Sequence, residues 1–72
     1  MKEGILILDT RKKQLDIRFS PREYYGGLES GDWLDVFLDG EWRPTRIQQD
    51  GSEWQLVGVD REISLVGLGV RK

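Results

Sequence analysis

Apolar and polar residues alternate in short runs along this chain, and turn-forming residues separate the runs. The clearest run places Leu15, Ile17 and Phe19 around Asp16 and Arg18, which is the pattern of a strand with one buried face. Similar runs predict five or six short strands. Their expected bounds are 4–8, 15–19, 32–38, 41–49 and 53–59, followed by one or two closing segments within 63–70.

Two Asp-Gly pairs, Asp39-Gly40 and Asp50-Gly51, predict hairpins, because both residue types tolerate the positive φ of a type I′ turn. A longer break over residues 20–31 contains Pro21 to Tyr25, which we expect to form one helical turn. Short strands bury enough apolar surface only if their sheet curls, and closure also protects strand edges. We therefore predict an all-β fold, a small and partly open barrel that occupies residues 1–72 as a single domain.

Two-residue turns at both Asp-Gly pairs would determine the strand register. Phe37 would then lie opposite Trp42, and Trp33 opposite Arg46, while Ile47 of the second hairpin would face Trp54. Side chains alternate between the two faces of a strand, so one face becomes an apolar core face. Its predicted members are Leu34, Val36, Leu38, Thr45, Ile47, Trp54 and Leu56.

The opposite face of these hairpins combines large aromatic side chains with an arginine. Its predicted members are Trp33, Asp35, Phe37, Trp42, Pro44, Arg46, Gln55 and Val57. Exposed apolar patches often mark binding sites, and Trp and Arg dominate the energetics of interfaces. We also expect Arg46 to stack on Trp33 or Trp42.

A second interpretation of this face stays open. The 20–31 segment, with Tyr24, Tyr25 and Leu28, would fold over the aromatic side chains and form another core layer. A bulge at Pro44 would also exchange the faces of the residues before it.

Composition narrows the chemistry. The 72 residues include no Cys and no His, which removes disulfides, thiolate metal sites and the commonest general base. The Ser residues have no adjacent base, and Asp32, Asp35, Asp39 and Glu41 have spacings that disfavour a shared cation. We therefore expect no enzyme activity, no catalytic residue, no metal and no cofactor.

Charge and the N-terminal region bear on partners and location. Eleven basic and thirteen acidic residues interleave to a net charge of -2, which disfavours duplex DNA as a partner. The apolar run of Ile5 to Leu8 is too short for a signal peptide or a membrane span. We expect a cytoplasmic protein without a membrane partner, either a monomer or a homodimer.

Two resemblances extend this picture. The order Gly31-Asp32-Trp33, Asp39-Gly40-Glu41-Trp42 and Trp54-Gln55-Leu56-Val57-Gly58 resembles SH3-like barrels, including Tudor-type modules. It implies an all-β, SH3-like, partly open barrel of five or six strands.

A second resemblance covers nearly the whole chain. It rests on Ile17-Arg18-Phe19, Tyr24-Tyr25-Gly26-Gly27-Leu28, Trp42-x-Pro44-Thr45-Arg46-Ile47 and the ending Gly67-Leu68-x-Val70-Arg71. These strings are similar to a family of small uncharacterised proteins of Gram-positive bacteria, often carried on mobile elements. The resemblance implies a fold and a context, and no activity. Members often carry His and Cys where this chain has Glu29, Ser30 and Trp33.

Together these observations predict a non-enzymatic module that binds a protein or a peptide. Its expected binding residues are Trp33, Phe37, Trp42, Pro44 and Arg46, flanked by Tyr24 and Tyr25. Two alternatives remain. One is binding of single-stranded nucleic acid, in which small barrels combine stacking aromatics with Arg. The other is a mobile-element accessory that inhibits a host defence protein.

Overall fold

The computed structural model describes all 72 residues, and its regular structure consists of strands alone. The strands are β1 (Glu3–Asp9), β2 (Gln14–Ser20), β3 (Glu23–Tyr24), β4 (Trp33–Leu38), β5 (Glu41–Asp50), β6 (Glu53–Leu56) and β7 (Gly69–Arg71). All pairings are antiparallel, in the order β3-β2-β1-β7-β4-β5-β6. No helix is present that would be long and apolar enough to cross a membrane. The all-β prediction is confirmed, with seven strands where five or six were expected.

The sheet curls into a small barrel that stays open between its edge strands, β3 and β6. The closing strand β7 inserts between β1 and β4, so both chain ends lie in the middle of the sheet. Leu8 at the end of β1 lines a cavity together with Gln49 and Trp54 of the β5–β6 hairpin. The end of β1 and the β5–β6 hairpin therefore approach each other through side chains.

The core fills the inside of this curled sheet. Its nine buried apolar residues are Leu6, Leu15, Ile17, Leu28, Leu34, Val36, Ile47, Leu56 and Val70. Every member of the predicted core face is buried or half-buried. Close packing also requires a glycine at position 4, because a Cβ on Gly4 would lie 2.5 Å from the Arg18 carbonyl oxygen. Glycine is required there by the approach of β1 to β2 and not by its backbone angles.

The first predicted hairpin register is confirmed, from Trp33 opposite Arg46 to Leu38 opposite Glu41. Asp39 and Gly40 both have positive φ, 52° and 79°, as a type I′ turn requires.

The second predicted register is wrong by two residues, because the turn residues are Gly51 and Ser52 rather than Asp50 and Gly51. Only the first of them has positive φ, which is the pattern of a type II′ turn. Ile47 therefore lies opposite Leu56. A shift of two residues leaves every side chain on its predicted face.

Pro44 forms no bulge, because it lies directly opposite Asp35 in an unbroken register. Counting from the two-residue turn, this pair occupies a non-hydrogen-bonded position, where β4 needs no N–H from residue 44. The alternative in which a bulge exchanges the faces is therefore wrong.

The 20–31 segment follows a different path from both expectations. Pro21 to Tyr25 forms no helical turn, because Glu23 and Tyr24 pair with β2 as the short strand β3. Leu28 enters the main core, with its N–H donating to the Leu15 carbonyl over 2.8 Å. The segment therefore contributes Leu28 to the core inside the barrel and does not form a second core layer over the outer aromatic side chains.

One buried carboxylate holds this segment in place. Asp16 Oδ1 accepts the backbone N–H groups of Gly26 at 3.0 Å and Gly27 at 2.9 Å. Both glycines have positive φ, which side-chain-bearing residues rarely adopt. The Tyr24-Tyr25-Gly26-Gly27-Leu28 string thus encodes a turn that delivers Leu28 into the core.

Candidate functional site

The β4–β5 hairpin displays an aromatic face on the outside of the barrel, formed by Trp33, Phe37, Trp42, Pro44 and Arg46. Trp33 is 60% exposed and Phe37 is 44% exposed, while Trp42 is half-buried. On their opposite face, β4 and β5 both carry buried core residues. The aromatic face is therefore presented by a rigid sheet rather than by a loop.

Trp33 and Arg46 form the exposed half of the aromatic face. They are directly opposite each other in the register, and the guanidinium carbon of Arg46 lies 5.5 Å from the centroid of the Trp33 ring. Arg46 makes no ion pair and no side-chain hydrogen bond within the chain. Stacking on an indole holds the guanidinium in place while its N–H donors stay free for another molecule.

Trp42 anchors the other half. Its ring meets Phe37 edge-to-face at a centroid distance of 5.1 Å, and Arg71 of β7 lies 4.5 Å from its centroid. The Nε of Arg71 donates to Asp35 Oδ2 over 2.9 Å, which fixes the guanidinium over the indole. These two contacts restrict the side-chain rotamer of Trp42, so its ring has a fixed position in the aromatic face.

A shallow depression adjoins Trp42 where β7 carries no side chain. It is a cavity of about 380 Å³ lined by Glu3, Gly4, Phe37, Trp42 and Gly69. Gly69 has an ordinary backbone conformation, and a Cβ there would meet only Phe37 Cβ, at 3.6 Å. Gly69 therefore leaves space beside the aromatic face without being required by the fold.

The two predicted flanking tyrosines occupy different places. Lys72 Nζ lies 5.4 Å from the ring centroid of Tyr25 and donates to the Trp33 carbonyl, so Tyr25 adjoins the Trp33 end of the aromatic face. Tyr24 lies on β3, and strands β2, β1 and β7 separate it from β4. The structure thus brings six of the seven predicted residues together.

The cations around the aromatic face differ in how far they are neutralised. Arg43 lies 3.4 Å from Asp39 and 3.1 Å from Glu41, and Arg71 pairs with Asp35. Lys72 has no carboxylate partner and donates to the Trp33 carbonyl. Arg46 is left as the cation of the hairpin without an acceptor. No group of three His, Cys, Asp or Glu side chains is placed to hold a metal ion.

Sequence comparison places these residues in a family. The family model described as "Domain of unknown function (DUF5348)" matches residues 4–72. The chain belongs to the DUF5348 family. It is also similar to a protein from Ruminococcus gnavus whose crystal structure superposes with a TM-score of 0.89 at 42% identity, covering 99% of this chain and 100% of the other. Comparison with curated proteins found no match. The expected membership of an uncharacterised family is thereby confirmed.

Within this DUF5348 domain, the sequence-based site lacked the residues contributed by β7 and β1. Arg71 lies over Trp42, while Ile5 and Gly69 pair beside the depression. No local pattern signals that a three-residue strand at the C-terminus inserts next to β4. The contact of Arg46 with Trp33 was predicted, because an outward Arg opposite an outward Trp is a recognisable cross-strand pair. The contact of Arg71 with Trp42 was not.

Proposed function

We propose that this DUF5348 domain is a non-enzymatic binding module that recognises a protein or a peptide through the aromatic face. The observation that carries the proposal is the pair formed by Trp33 and Arg46. An indole that is 60% exposed lies beneath a guanidinium with no acceptor of its own, on a rigid hairpin. An indole left in water does not contribute the free energy that its burial would give, and a small domain has few other apolar side chains to bury. A partner that covers the indole would gain this free energy on binding.

The chemistry of the pair indicates what the partner presents. A guanidinium with free N–H donors matches a carboxylate in a two-point contact. The exposed rings of Trp33 and Phe37 offer apolar area next to that contact. We therefore infer that the partner carries an Asp, a Glu or a C-terminal carboxylate beside an apolar side chain.

Local charge favours a protein partner over single-stranded nucleic acid. Stacking aromatics and Arg suit either ligand, but binding along a phosphate backbone needs several free cations. Around the aromatic face, Arg43 and Arg71 are already paired with carboxylates. Arg46 and Lys72 remain at the Trp33 end without a carboxylate partner, and two such cations suit one acidic group better than a row of phosphates.

The resemblances supply a context for this proposal. An SH3-like or Tudor-type module would use an exposed aromatic surface in the same manner. In a cytoplasmic, mobile-element setting in Gram-positive bacteria, a host defence protein would be one class of partner. These elements rest on sequence resemblance, and the proposed contact between the aromatic face and a carboxylate does not depend on them.

Comparative capture from the host's lysate tests the proposal. Tagged wild-type protein is compared with Trp33→Ala and Arg46→Gln, and with Val66→Ala as a control whose exposed apolar side chain lies outside the aromatic face. We expect one protein to be recovered by the wild type and by Val66→Ala, and lost with both face variants, with or without nuclease. Recovery that is equal for all four, or that disappears on nuclease treatment, would contradict the proposal.

A further inference from the structure

Strand β6 leaves a row of backbone groups unpaired at the edge of the sheet. It pairs with β5 alone. The Val57 N–H donates to the Arg46 carbonyl over 3.0 Å, and hydrogen bonding alternates along an antiparallel strand. The N–H groups of Trp54 and Leu56 therefore point away from β5, as does the Trp54 carbonyl. The Leu56 carbonyl is occupied, because it accepts the Val59 N–H over 3.1 Å.

A partly apolar cavity adjoins this unpaired row. It has a volume of about 320 Å³, and its opposite wall is the irregular segment that follows β6. Five of its lining side chains are apolar, namely Trp54, Leu56, Val59, Ile63 and Leu65. A volume of this size is at the lower end of ligand pockets and holds a side chain or two rather than a folded surface.

The charges at the rim are mainly negative. Glu53, Asp60 and Arg61 line the cavity, and Glu62 is adjacent in the chain. None of these four forms an ion pair within the chain. β6 is a short edge strand of four residues, and it contains neither the Lys nor the Pro that often block pairing at an edge.

We propose that the β6 edge is a second binding site, which takes an extended peptide segment by strand addition. Backbone groups of the peptide pair with Trp54 and Leu56, and one apolar side chain enters the cavity between β6 and Ile63. Basic side chains at the flanking positions meet the acidic rim. Main-chain pairing with pockets for alternate side chains is a known way to recognise extended peptides. The site is separate from the aromatic face and does not depend on its function.

Amide hydrogen exchange of the free protein tests the first requirement. The Gln55 amide pairs with Gln48 and should exchange slowly. The Trp54 and Leu56 amides should exchange at least tenfold faster than that of Gln55. Protection of all three amides in the free protein would show that the edge is already occupied, and would overturn the proposal.

Selection from a phage-displayed library of random heptapeptides tests the ligand. The wild type is compared with Ile63→Glu, which places a carboxylate in the cavity, and with Trp33→Ala, which alters only the aromatic face. We expect peptides with apolar residues at alternate positions and Lys or Arg between them. They should bind the wild type and Trp33→Ala equally, and bind Ile63→Glu at least tenfold more weakly.

A backbone-modified peptide tests the same contact without changing the protein, so its result does not depend on whether Ile63→Glu folds. N-methylation of the selected peptide at the amides that face β6 should weaken its binding to the wild type at least tenfold, whereas N-methylation at the alternate amides should not. The selected peptide should also slow exchange at the Trp54 and Leu56 amides. Enrichment of no such peptide, equal binding of both N-methylated forms, or self-association of the chain through β6 would each overturn the proposal.

Discussion

Replacement of Leu28 by alanine tests whether the 20–31 segment is part of the main core. Leu28 is 0% exposed and belongs to the nine-residue core. Truncation of a buried leucine to alanine costs about 2–5 kcal/mol through lost burial and the cavity left behind. A value of about 3 kcal/mol is large here, since a 72-residue domain has a free energy of unfolding of about 4–11 kcal/mol.

Thermal unfolding followed by circular dichroism measures this effect. At about 4–8 °C per kcal/mol for a domain of this size, Leu28→Ala should lower Tm by about 12–24 °C. The neighbouring variant Glu29→Ala changes an exposed side chain of the same segment and should alter stability by less than about 0.5 kcal/mol.

The Leu28→Ala variant also distinguishes the two interpretations of the aromatic face. Leu28 packs inside the barrel, so tryptophan emission of the folded variant at low temperature should match that of the wild type. A loss of stability below about 1 kcal/mol would contradict the docked segment. A red-shifted emission in the folded variant, retained when Trp54 is also replaced by Phe, would show that the segment covers the aromatic face.

Three further predictions concern stability. Gly4→Ala should be strongly destabilising in chemical denaturation, because its Cβ would lie 2.5 Å from a carbonyl oxygen, whereas Gly69→Ala should be nearly neutral; equal effects would contradict the packing described. Asp16→Ala should cost about 3 kcal/mol, because three backbone N–H groups lose their acceptor; a change below about 1 kcal/mol would argue against that role. A double-mutant cycle on Asp35→Ala and Arg71→Ala should give a coupling of about 1 kcal/mol for this partly buried pair, and no coupling would contradict the contact.

Local patterning was sufficient for the β4–β5 hairpin. Alternation and the Asp39-Gly40 turn predict which residues share a face, and the pairing of Trp33 with Arg46 follows from them directly. The predicted register of the second hairpin was wrong because Gly51 fits either the second position of a type I′ turn or the first position of a type II′ turn. The choice between the two turns depends on the neighbouring strands. Its faces were still correct because the error was two residues.

Tertiary context determined what local patterning did not. Leu28 has no alternating neighbours, and its burial follows from a glycine turn held by Asp16, a contact distant in sequence. The strand β7 has three residues, too few for a periodicity, and only its insertion between β1 and β4 places Arg71 over Trp42. The membership of the aromatic face was therefore predictable, but its exposure, its supporting cation and the adjoining depression were not.

The dissociation constant of the captured partner is the most direct test of the aromatic face as a binding surface. Isothermal titration calorimetry of the purified partner compares the wild type with Trp33→Ala. Because an aromatic hot spot is worth about 2 kcal/mol or more, Kd should rise by at least about 30-fold while the fold is unchanged. A Kd within twofold of the wild-type value would contradict the account.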